Sequence, residues 1–289
     1  MKMENMLELK GVSKDYVGFS LKDINLTIPK GCVMGLVGEN GAGKTTIMKI
    51  ILNEINKKTG SIKIMGLDHI QKEKEIKEQL GVVWDDSFLS EYLTPIVVGK
   101  IMKNFYKNWD EKLYEQYLQT FQLPKNKMIK EFSSGMKMKL KIITAMSHHP
   151  QLLLLDEPTS GLDPVVRYEI LDIFREFITD EQKAILISTH ITSDLEHLAD
   201  YITFVKNGQI ILSKEKDILL EQYGIYRCTK EEFEKIENQD YVYYKKNKYE
   251  YDVLVEDKQI FQRKYQVEAL DKPTIEEMMI ICSKGEVKK

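Results

Sequence analysis

Long apolar segments and paired cysteines are missing from this chain of 289 residues. No stretch approaches the roughly 18 consecutive apolar residues that a membrane-spanning helix needs, so nothing here is expected to cross a bilayer alone. The first residues lack the apolar core of a secretory signal. The three cysteines, Cys32, Cys228 and Cys282, are odd in number and far apart, so we expect neither a disulfide framework nor a zinc site. A reducing cytosol is the expected compartment.

An excess of one charge is also missing. With 42 basic and 45 acidic residues, the net charge is −3, and this gives no basic footprint for nucleic acid. The composition that is present, 43% apolar and 30% charged, is that of a globular protein. The length allows one large domain or about one and a half ordinary ones. No internal repeat and no low-complexity segment is evident.

The most informative segment is a glycine-rich loop with the pattern Gly-x-x-x-x-Gly-Lys-Thr. The apolar run 32–37 predicts a buried strand before it and the run 46–52 predicts a helix after it, which is the context of a phosphate-binding loop. Glycines let backbone N–H groups turn toward phosphates, and the helix adds its N-terminal donors. We expect Lys44 to reach the β- and γ-phosphates and the Thr45 hydroxyl to ligate Mg²⁺. The loop and its first helical residues are Gly38, Glu39, Asn40, Gly41, Ala42, Gly43, Lys44, Thr45 and Thr46.

Two acidic residues follow the predicted strand 151–155, whose apolar run is typical of a central parallel strand. Asp156 suits a metal, directly or through water, and Glu157 suits polarising an attacking water. His190 follows the next predicted strand, 184–188, and its imidazole can donate to a γ-phosphate or orient the water. Taken singly, these residues also fit a strand that ends in solvated acids and a capped structural histidine.

The remaining patterns predict an α/β fold with an N-terminal antiparallel sheet and a helical insert. Strands at 7–9 and 21–28 form that sheet, and the pattern is helical from about 88 to 150, with one helix at 110–122. Strands are also predicted at 61–66 and 81–84, a proline-initiated helix after Asp163, and a hairpin at Asn207-Gly208.

Within the insert, Ser133, Ser134 and Gly135 precede a helix. The serines are expected to cap its first N–H groups, and with Gly135 they form a second anion-binding helix terminus. This terminus is expected to lie far from Lys44 of the same chain. Two copies facing each other head to tail would bring each terminus to the γ-phosphate of the other copy.

The composition changes after about residue 214. Eight of the 15 tyrosines lie in the remaining segment. Segments 241–244 and 249–255 alternate like strands around a turn at 245–248, and a helix is predicted near 274–281. We expect a small α+β accessory domain at 215–289 behind a main domain at 1–214. It serves packing or dimer stabilisation, or it senses a ligand, and its lysine-rich turn is either solvated or a membrane-surface contact.

In their order, these motifs resemble those of the nucleotide-binding subunits of ABC transporters over residues 1–215. The glycine loop matches the Walker A motif, 152–157 matches Walker B, and 132–136 stands where the family has its Leu-Ser-Gly-Gly-Gln signature. Residues 160–163, ending in Asp163, resemble the D-loop, and His190 resembles the switch histidine. Tyr16 matches the aromatic residue that stacks on adenine, with plain packing as the alternative.

The resemblance implies a P-loop NTPase of the ABC type, with a mixed central sheet, that hydrolyses ATP with Mg²⁺. It implies a head-to-tail pair of ATP-binding subunits, identical or paralogous, in which Ser133 and Gly135 contact the γ-phosphate of the partner. It also implies a separate ABC-2-type permease whose coupling helix contacts 88–93. The subunit would then be cytoplasmic, peripheral on the inner face of the membrane, and without nucleic acid as a partner.

The sequence departs from the family pattern in the signature and in the Q-loop. Ser134 replaces the usual glycine and Met136 the usual glutamine of the signature, and Asp85 stands where the Q-loop has glutamine. Asp85 is either a metal-side residue, since a carboxylate ligates Mg²⁺, or a solvated loop acid. The sequence around Asp85 and the tyrosine-rich tail look similar to exporters of antibiotics, lipids or amphipathic peptides. The nearest resemblance is to ATPases of antimicrobial or phenol-soluble-modulin-type peptide exporters.

Other functions stay open at this stage. A soluble ABC ATPase acting on ribosomes or DNA usually carries two cassettes or a long coiled coil, and neither is evident here. A nucleotide-dependent regulator with low turnover is the second alternative, for which Asp85 leaves room. A P-loop kinase or GTPase is disfavoured because no guanine-specific Asn-Lys-x-Asp element is present. The cargo is not encoded in this chain.

Overall fold

The computed structural model describes residues 4–84 and 89–286, which fold around three sheets. The strands are β1 (Asn5–Tyr16), β2 (Phe19–Pro29), β3 (Val33–Val37), β4 (Thr59–Ile64), β5 (Leu67–Asp68), β6 (Leu80–Val83), β7 (Leu152–Asp156), β8 (Ala184–Ser188), β9 (Tyr201–Lys206), β10 (Gln209–Glu215), β11 (Gly224–Cys228), β12 (Tyr243–Lys246) and β13 (Tyr251–Val255). The helices are α1 (Lys44–Ile51), α2 (Glu73–Lys77), α3 (Pro95–Phe105), α4 (Glu111–Thr120), α5 (Ser134–Met146), α6 (Pro164–Phe177), α7 (Thr192–Leu198), α8 (Lys216–Glu221), α9 (Lys230–Phe233), α10 (Lys258–Tyr265) and α11 (Ile275–Lys284).

The central sheet has six strands in the order β10-β9-β3-β8-β7-β6. Strands β9 to β6 run parallel, and β10 adds an antiparallel edge. Strands β3, β7 and β8 are buried at every position, which explains their continuous apolar sequences. Alternate residues enter two cores: Leu153 and Leu155 pack with α5 and α6, whereas Leu152 and Leu154 pack with α1 and the N-terminal sheet.

The N-terminal sheet is antiparallel, as predicted, with the order β2-β1-β4-β5. Strand β1 is longer than the predicted strand at 7–9. Shifts in its register with β2 allow pairing to continue until Tyr16 opposes Phe19. Such irregularities bend a strand without ending its ladder, and no short apolar pattern signals them. This sheet supplies one wall beside the glycine loop.

The helical insert contains α3, α4 and α5 around a core of its own. The helix predicted at 110–122 begins at Glu111, because the Asp110 carboxylate accepts a hydrogen bond from the Leu113 N–H at 2.9 Å and caps it. Tyr114 crosses this core and donates its hydroxyl to the Pro95 carbonyl at 3.0 Å, which ties α4 to the start of α3.

The C-terminal segment forms the three-stranded antiparallel sheet β11-β13-β12 with α8 to α11 around it, so the predicted α+β architecture is confirmed. The turn prediction was wrong for Lys245 and Lys246, which belong to β12 and pair with β13. One face of this sheet packs on α11, and α11 packs on α7, so the sheet and the main domain share one core. A further contact is the hydrogen bond that Lys206 Nζ donates to the Gly285 carbonyl at 2.7 Å. The domain boundary at 214–215, at the end of β10, stays a prediction.

Within the described residues, none of the helices combines the length and the apolar character that crossing a bilayer requires.

Candidate functional site

The glycine loop, the acidic pair and His190 lie at the carboxyl ends of three neighbouring strands. The glycine loop follows β3, Asp156 ends β7, and His190 follows β8 by two residues. Because β8 pairs with both β3 and β7, side chains that are far apart in sequence meet at one edge of the sheet.

Thr45 and Asp156, 111 positions apart, are joined directly. The Thr45 hydroxyl donates to Asp156 Oδ2 at 2.9 Å. The second oxygen, Oδ1, is buried and has no hydrogen-bond partner among the described residues. A buried carboxylate oxygen without a partner is unusual, and hard oxygen ligands of this kind suit Mg²⁺, which otherwise takes phosphate and water oxygens. The pair therefore fits Mg²⁺.

Lys44 holds a buried ammonium group at the N-terminus of α1. Its Nζ donates to the carbonyl oxygens of Gly38 at 2.8 Å and Glu39 at 3.4 Å, and it lies 3.9 Å from Glu157 Oε1. Burial lowers the pKa of Lys44, while the carboxylates of Glu157 and Asp156 act in the opposite direction. A buried cation beside helix N–H groups is suited to a polyanion.

Two glycines of the loop cannot be replaced without displacement. A Cβ on Gly38 would lie 2.3 Å from the Val205 carbonyl oxygen, because β9 passes directly behind the loop. Gly43 precedes α1 with a φ of +116°, and a Cβ there would lie 2.8 Å from Leu21 Cδ2. Both positions allow the backbone to turn where a side chain would collide. The exposed outer arm of the loop contains Glu39, Asn40 and Gly41, its buried inner arm contains Ala42, Gly43 and Lys44, and Thr45 and Thr46 belong to the first turn of α1.

Glu157 and His190 form one hydrogen-bonded unit. His190 Nδ1 lies 2.8 Å from Glu157 Oε2, and the His190 backbone N–H donates to the same oxygen at 3.3 Å. An ionised carboxylate only accepts, so Nδ1 carries the proton, and Nε2 is left for another group. Glu157 has a φ of +50°, unusual for a residue with a side chain, and its N–H donates to the Ser188 carbonyl at 2.8 Å.

Tyr16 lies at the end of β1, close to the glycine loop. The residue is 42% exposed, and the centroid of its ring is 6.4 Å from that of Phe19. Phe19 in turn borders the loop, because a Cβ on Gly43 would lie 3.1 Å from its Cζ. Tyr16 thus offers an accessible aromatic face one ring away from the loop.

The starts of α5 and α6 lie side by side, and they carry three predicted site residues: Ser133, Gly135 and Asp163. Ser133 caps α5 by accepting the Met136 N–H at 3.2 Å, whereas Ser134, also expected to cap it, is the first residue of the helix. Asp163 caps α6 through two N–H groups at 3.1 Å each. Gly135 packs against the first turn of α6, since a Cβ there would lie 2.8 Å from Val166 Cγ1. Their role toward a second subunit stays a prediction. Asp85 lies outside the described residues, as does the start of the segment at 88–93.

Comparison with known proteins agrees with this geometry. The sequence model of the family described as ABC transporter matches residues 21–160, and one described as "AAA domain, putative AbiEii toxin, Type IV TA system" matches residues 128–193. The lantibiotic transport ATP-binding protein SrtF of Streptococcus pyogenes is 37% identical over 215 residues, which are 73% of this chain and 92% of that protein. The chain belongs to the ATP-binding subunits of ABC transporters.

Two further similarities are consistent with that family. The bacitracin transport ATP-binding protein BcrA of Enterococcus faecalis is 32% identical over 216 residues, covering 73% of this chain and 70% of that protein. A solved structure described as an ATP binding subunit of an ABC transporter is 29% identical with a TM-score of 0.68, covering 74% of this chain and 91% of that one. This ABC subunit is an ATPase, and the predicted fold of the family is confirmed.

Sequence patterns missed two buried polar residues of this ABC ATPase. Ser188 opposes Asp156 in the β7–β8 pairing, and its hydroxyl is buried without a hydrogen-bond partner among the described residues. Lys141 is buried on α5 and donates to the Trp84 carbonyl at 3.0 Å, next to the predicted Q-loop. A polar residue inside an apolar run was the only available signal for either position.

Proposed function

We propose that this ATPase powers the export of an amphipathic peptide, an antibiotic or a lipid through a separate ABC-2-type membrane subunit. The observation that carries the proposal is the convergence of Lys44, Thr45, Asp156, Glu157 and His190 at one edge of the central sheet. A phosphate cradle, a metal-ligand pair and a carboxylate–imidazole pair are the three parts that hydrolysis of a nucleoside triphosphate requires.

Binding uses the glycine loop and Tyr16. The loop N–H groups and Lys44 hold the phosphates, and the exposed face of Tyr16 stacks on the adenine, an interaction worth about 1–3 kcal/mol per base in nucleic-acid sites. Thr45 and Asp156 hold Mg²⁺, with Asp85 as a third ligand proposed from sequence. When bound there, Mg²⁺ would supply charge neutralisation and orientation of the phosphates.

Hydrolysis uses Glu157 and His190. The Glu157 carboxylate accepts a hydrogen bond from the attacking water and polarises it. His190 orients this carboxylate through Nδ1, and its Nε2 faces the γ-phosphate group that is transferred to water. The left-handed backbone at Glu157 keeps the carboxylate in this position at a cost of about 1–3 kcal/mol.

Two subunits close head to tail around ATP, as identical copies or paralogues. Ser133 and Gly135 at the N-terminus of α5 contact the γ-phosphate bound to the partner, and Asp163 joins the same interface. The packing of Gly135 against Val166 supports this, because it makes the signature segment and the start of α6 parts of one surface. Loss of the γ-phosphate removes the contacts that favour the closed pair.

The permease's coupling helix is proposed to contact the segment predicted at 88–93, and the permease to extend into a groove of about 610 Å³ formed by α2, the edge strand β6 and the helical insert. Its lining comes from α2 and the residue after it, Glu78, from Val82 of the edge strand β6, and from Met102 and Phe105 of α3 in the insert. Phe105 is 72% exposed and adds an apolar side chain to this groove, beside the partly buried Met102. Docking there places the subunit at the inner face of the membrane. The transport functions named for SrtF and BcrA support the cargo class.

Glu157→Gln tests the catalytic assignment. The amide keeps the size of the side chain but cannot polarise water as a carboxylate does, so we expect ATP to bind and trap a dimer while turnover falls at least about 100-fold. Steady-state ATPase rates and the oligomeric state with ATP are the measurements. Glu181→Gln, on the exposed loop before β8 at the opposite end of the strand, is the matched control. Hydrolysis by Glu157→Gln at the parent rate would refute the assignment.

Purification of the tagged chain from membranes tests the partner. Recovery of a polytopic membrane protein supports the transport function. If ribosomal proteins are recovered and no membrane protein is, the transport function is refuted in favour of a soluble ABC ATPase that acts on ribosomes.

A further inference from the structure

Asp194 is a fully buried carboxylate outside the residues assigned so far. It lies on α7, four residues after His190, and its exposed fraction is 0%. Both of its oxygens are used: Oδ2 accepts from the Thr159 hydroxyl at 2.5 Å, and Oδ1 accepts from Arg167 Nε at 2.5 Å. A buried carboxylate is costly unless it is paired and fully hydrogen-bonded, and Asp194 meets both conditions.

The Thr159 contact connects the segments of the two catalytic side chains. Thr159 follows Glu157 by two residues, whereas Asp194 belongs to the helix that follows His190. The bond between Thr159 and Asp194 therefore closes a ring whose opposite side is the Glu157–His190 hydrogen bond at 2.8 Å. The segment after β7 and the segment after β8 are therefore joined at two places.

The Arg167 contact adds a third segment. Arg167 lies in the first turn of α6, where its backbone N–H donates to the Asp163 carbonyl at 3.0 Å. A second nitrogen of its guanidinium, Nη2, donates a hydrogen bond to the Ser193 hydroxyl at 2.5 Å. Since a guanidinium holds two partners in a fixed plane, α6 and α7 are locked in one relative orientation.

The backbone conformation of Glu157 depends on how firmly the residues on either side of it are held. Its positive φ persists only where the surroundings hold it, and residues before and after it must both be anchored. The strand β7 anchors the preceding side. On the following side, the buried hydrogen bond of Thr159 supplies the anchor.

We infer that Asp194 is a positioning residue for ATP hydrolysis, which holds the loop after Glu157 against the helix after His190. The inference rests on the roles proposed for Glu157 and His190. Because Asp194 is buried and contacts Thr159 and Arg167 rather than the glycine loop, its loss is expected to lower turnover while nucleotide affinity is kept.

Steady-state ATPase kinetics and ATP affinity of the full 289-residue chain test this inference. Thr159→Val removes the hydroxyl and keeps the shape, and Asp194→Asn removes the charge and keeps the size. We expect each to lower kcat at least tenfold with ATP affinity within threefold of the parent. Thr159→Ser, which restores the hydroxyl, is expected to stay within threefold of the parent kcat. If Asp194→Asn does not fold, the comparison of Thr159→Val with Thr159→Ser tests the inference on its own.

Asp200→Asn is the matched control, because its carboxylate accepts the Val33 N–H at 2.8 Å just beyond the other end of α7. It is expected to keep the parent kcat. Parent kcat in Asp194→Asn and Thr159→Val would overturn the inference, as would equal impairment of Thr159→Ser and Thr159→Val. Glu157→Gln is measured in parallel. If it hydrolyses ATP at the parent rate, the proposed function fails; if it is inactive while Asp194→Asn is fully active, only the inference fails.

Discussion

His190 and Glu157 share two hydrogen bonds on one oxygen, from the imidazole at 2.8 Å and from the backbone N–H at 3.3 Å. The contact joins the ends of β8 and β7, whose register sets Ser188 opposite Asp156. The carboxylate is thereby oriented before any water is positioned, which is how preorganised groups lower a barrier without rearrangement during the reaction.

We expect His190→Ala to lower kcat by about 100-fold, because Glu157 loses its orienting donor and the γ-phosphate loses the imidazole. ATP affinity is expected to change less than threefold, since Lys44 and the loop remain. Steady-state kinetics with a fluorescent-nucleotide titration measures both quantities. His197→Ala, at an exposed position near the end of α7, serves as the control. Unchanged kcat in His190→Ala would contradict the proposed role.

Thr45→Val is expected to raise the Mg²⁺ concentration for half-maximal ATPase activity at least tenfold. The substitution keeps the shape but removes the hydroxyl that lies 2.9 Å from Asp156 Oδ2. Thr45→Ser keeps the oxygen and is expected to follow the parent curve. A Mg²⁺ titration of the ATPase rate distinguishes the two variants. If Thr45→Val and Thr45→Ser need the same Mg²⁺ concentration for half-maximal activity, Thr45 is not a metal ligand.

Gly38→Ala is expected to weaken ATP binding at least tenfold, since its Cβ would lie 2.3 Å from the Val205 carbonyl and the loop must move. Gly66→Ala provides the comparison: Gly66 has a φ of +77° but no atom within 4 Å of the added Cβ. There we expect about 1 kcal/mol of lost stability and unchanged affinity. Nucleotide titrations and thermal unfolding check both. Equal ATP affinity in the two variants would argue against a tight loop.

His148 is expected to make stability depend on pH. It is buried against the Tyr106 ring at 3.8 Å and its Nε2 donates to the Leu80 carbonyl at 3.0 Å. Burial lowers the pKa of His148 to about 4. In the unfolded chain the imidazole binds its proton near pH 6.5, so the unfolded state binds more protons between the two values. The free energy of unfolding should therefore fall as the pH drops from about 6.5 to about 4, by at most about 3 kcal/mol.

Urea unfolding across that pH range tests the assignment. His148→Gln keeps an N–H donor but does not titrate, so its stability is expected to be lower near neutral pH and to change less on acidification. His197→Gln, at an exposed position, should retain the slope of the parent. Parallel curves for the parent and His148→Gln would show that the buried imidazole does not cause the acid sensitivity.

Contiguous features were predictable. The loop from Gly38 to Thr46, the strand before Asp156, the cap at Ser133 and the proline-initiated helix after Asp163 depend on residues within a few positions of one another. The bulged continuation of β1 to Tyr16 was not predictable, because it depends on pairing with β2 and β4. Strand β11 and helix α10 were missed, since their short mixed sequences obtain their structure from packing in the C-terminal sheet.

By itself, the sequence determined which chemical groups are available: a phosphate loop, two acids after a buried strand, and a histidine after the next. Local spacing decides this, because each motif needs only its neighbours in the chain. Only the tertiary structure decided that β8 lies between β3 and β7, so that Thr45 reaches Asp156 and His190 reaches Glu157. It also decided that Asp194 is buried and accepts hydrogen bonds from Thr159 and Arg167. Strand order and the burial of a polar side chain such as Asp194 arise from packing across the whole domain, which no local pattern specifies.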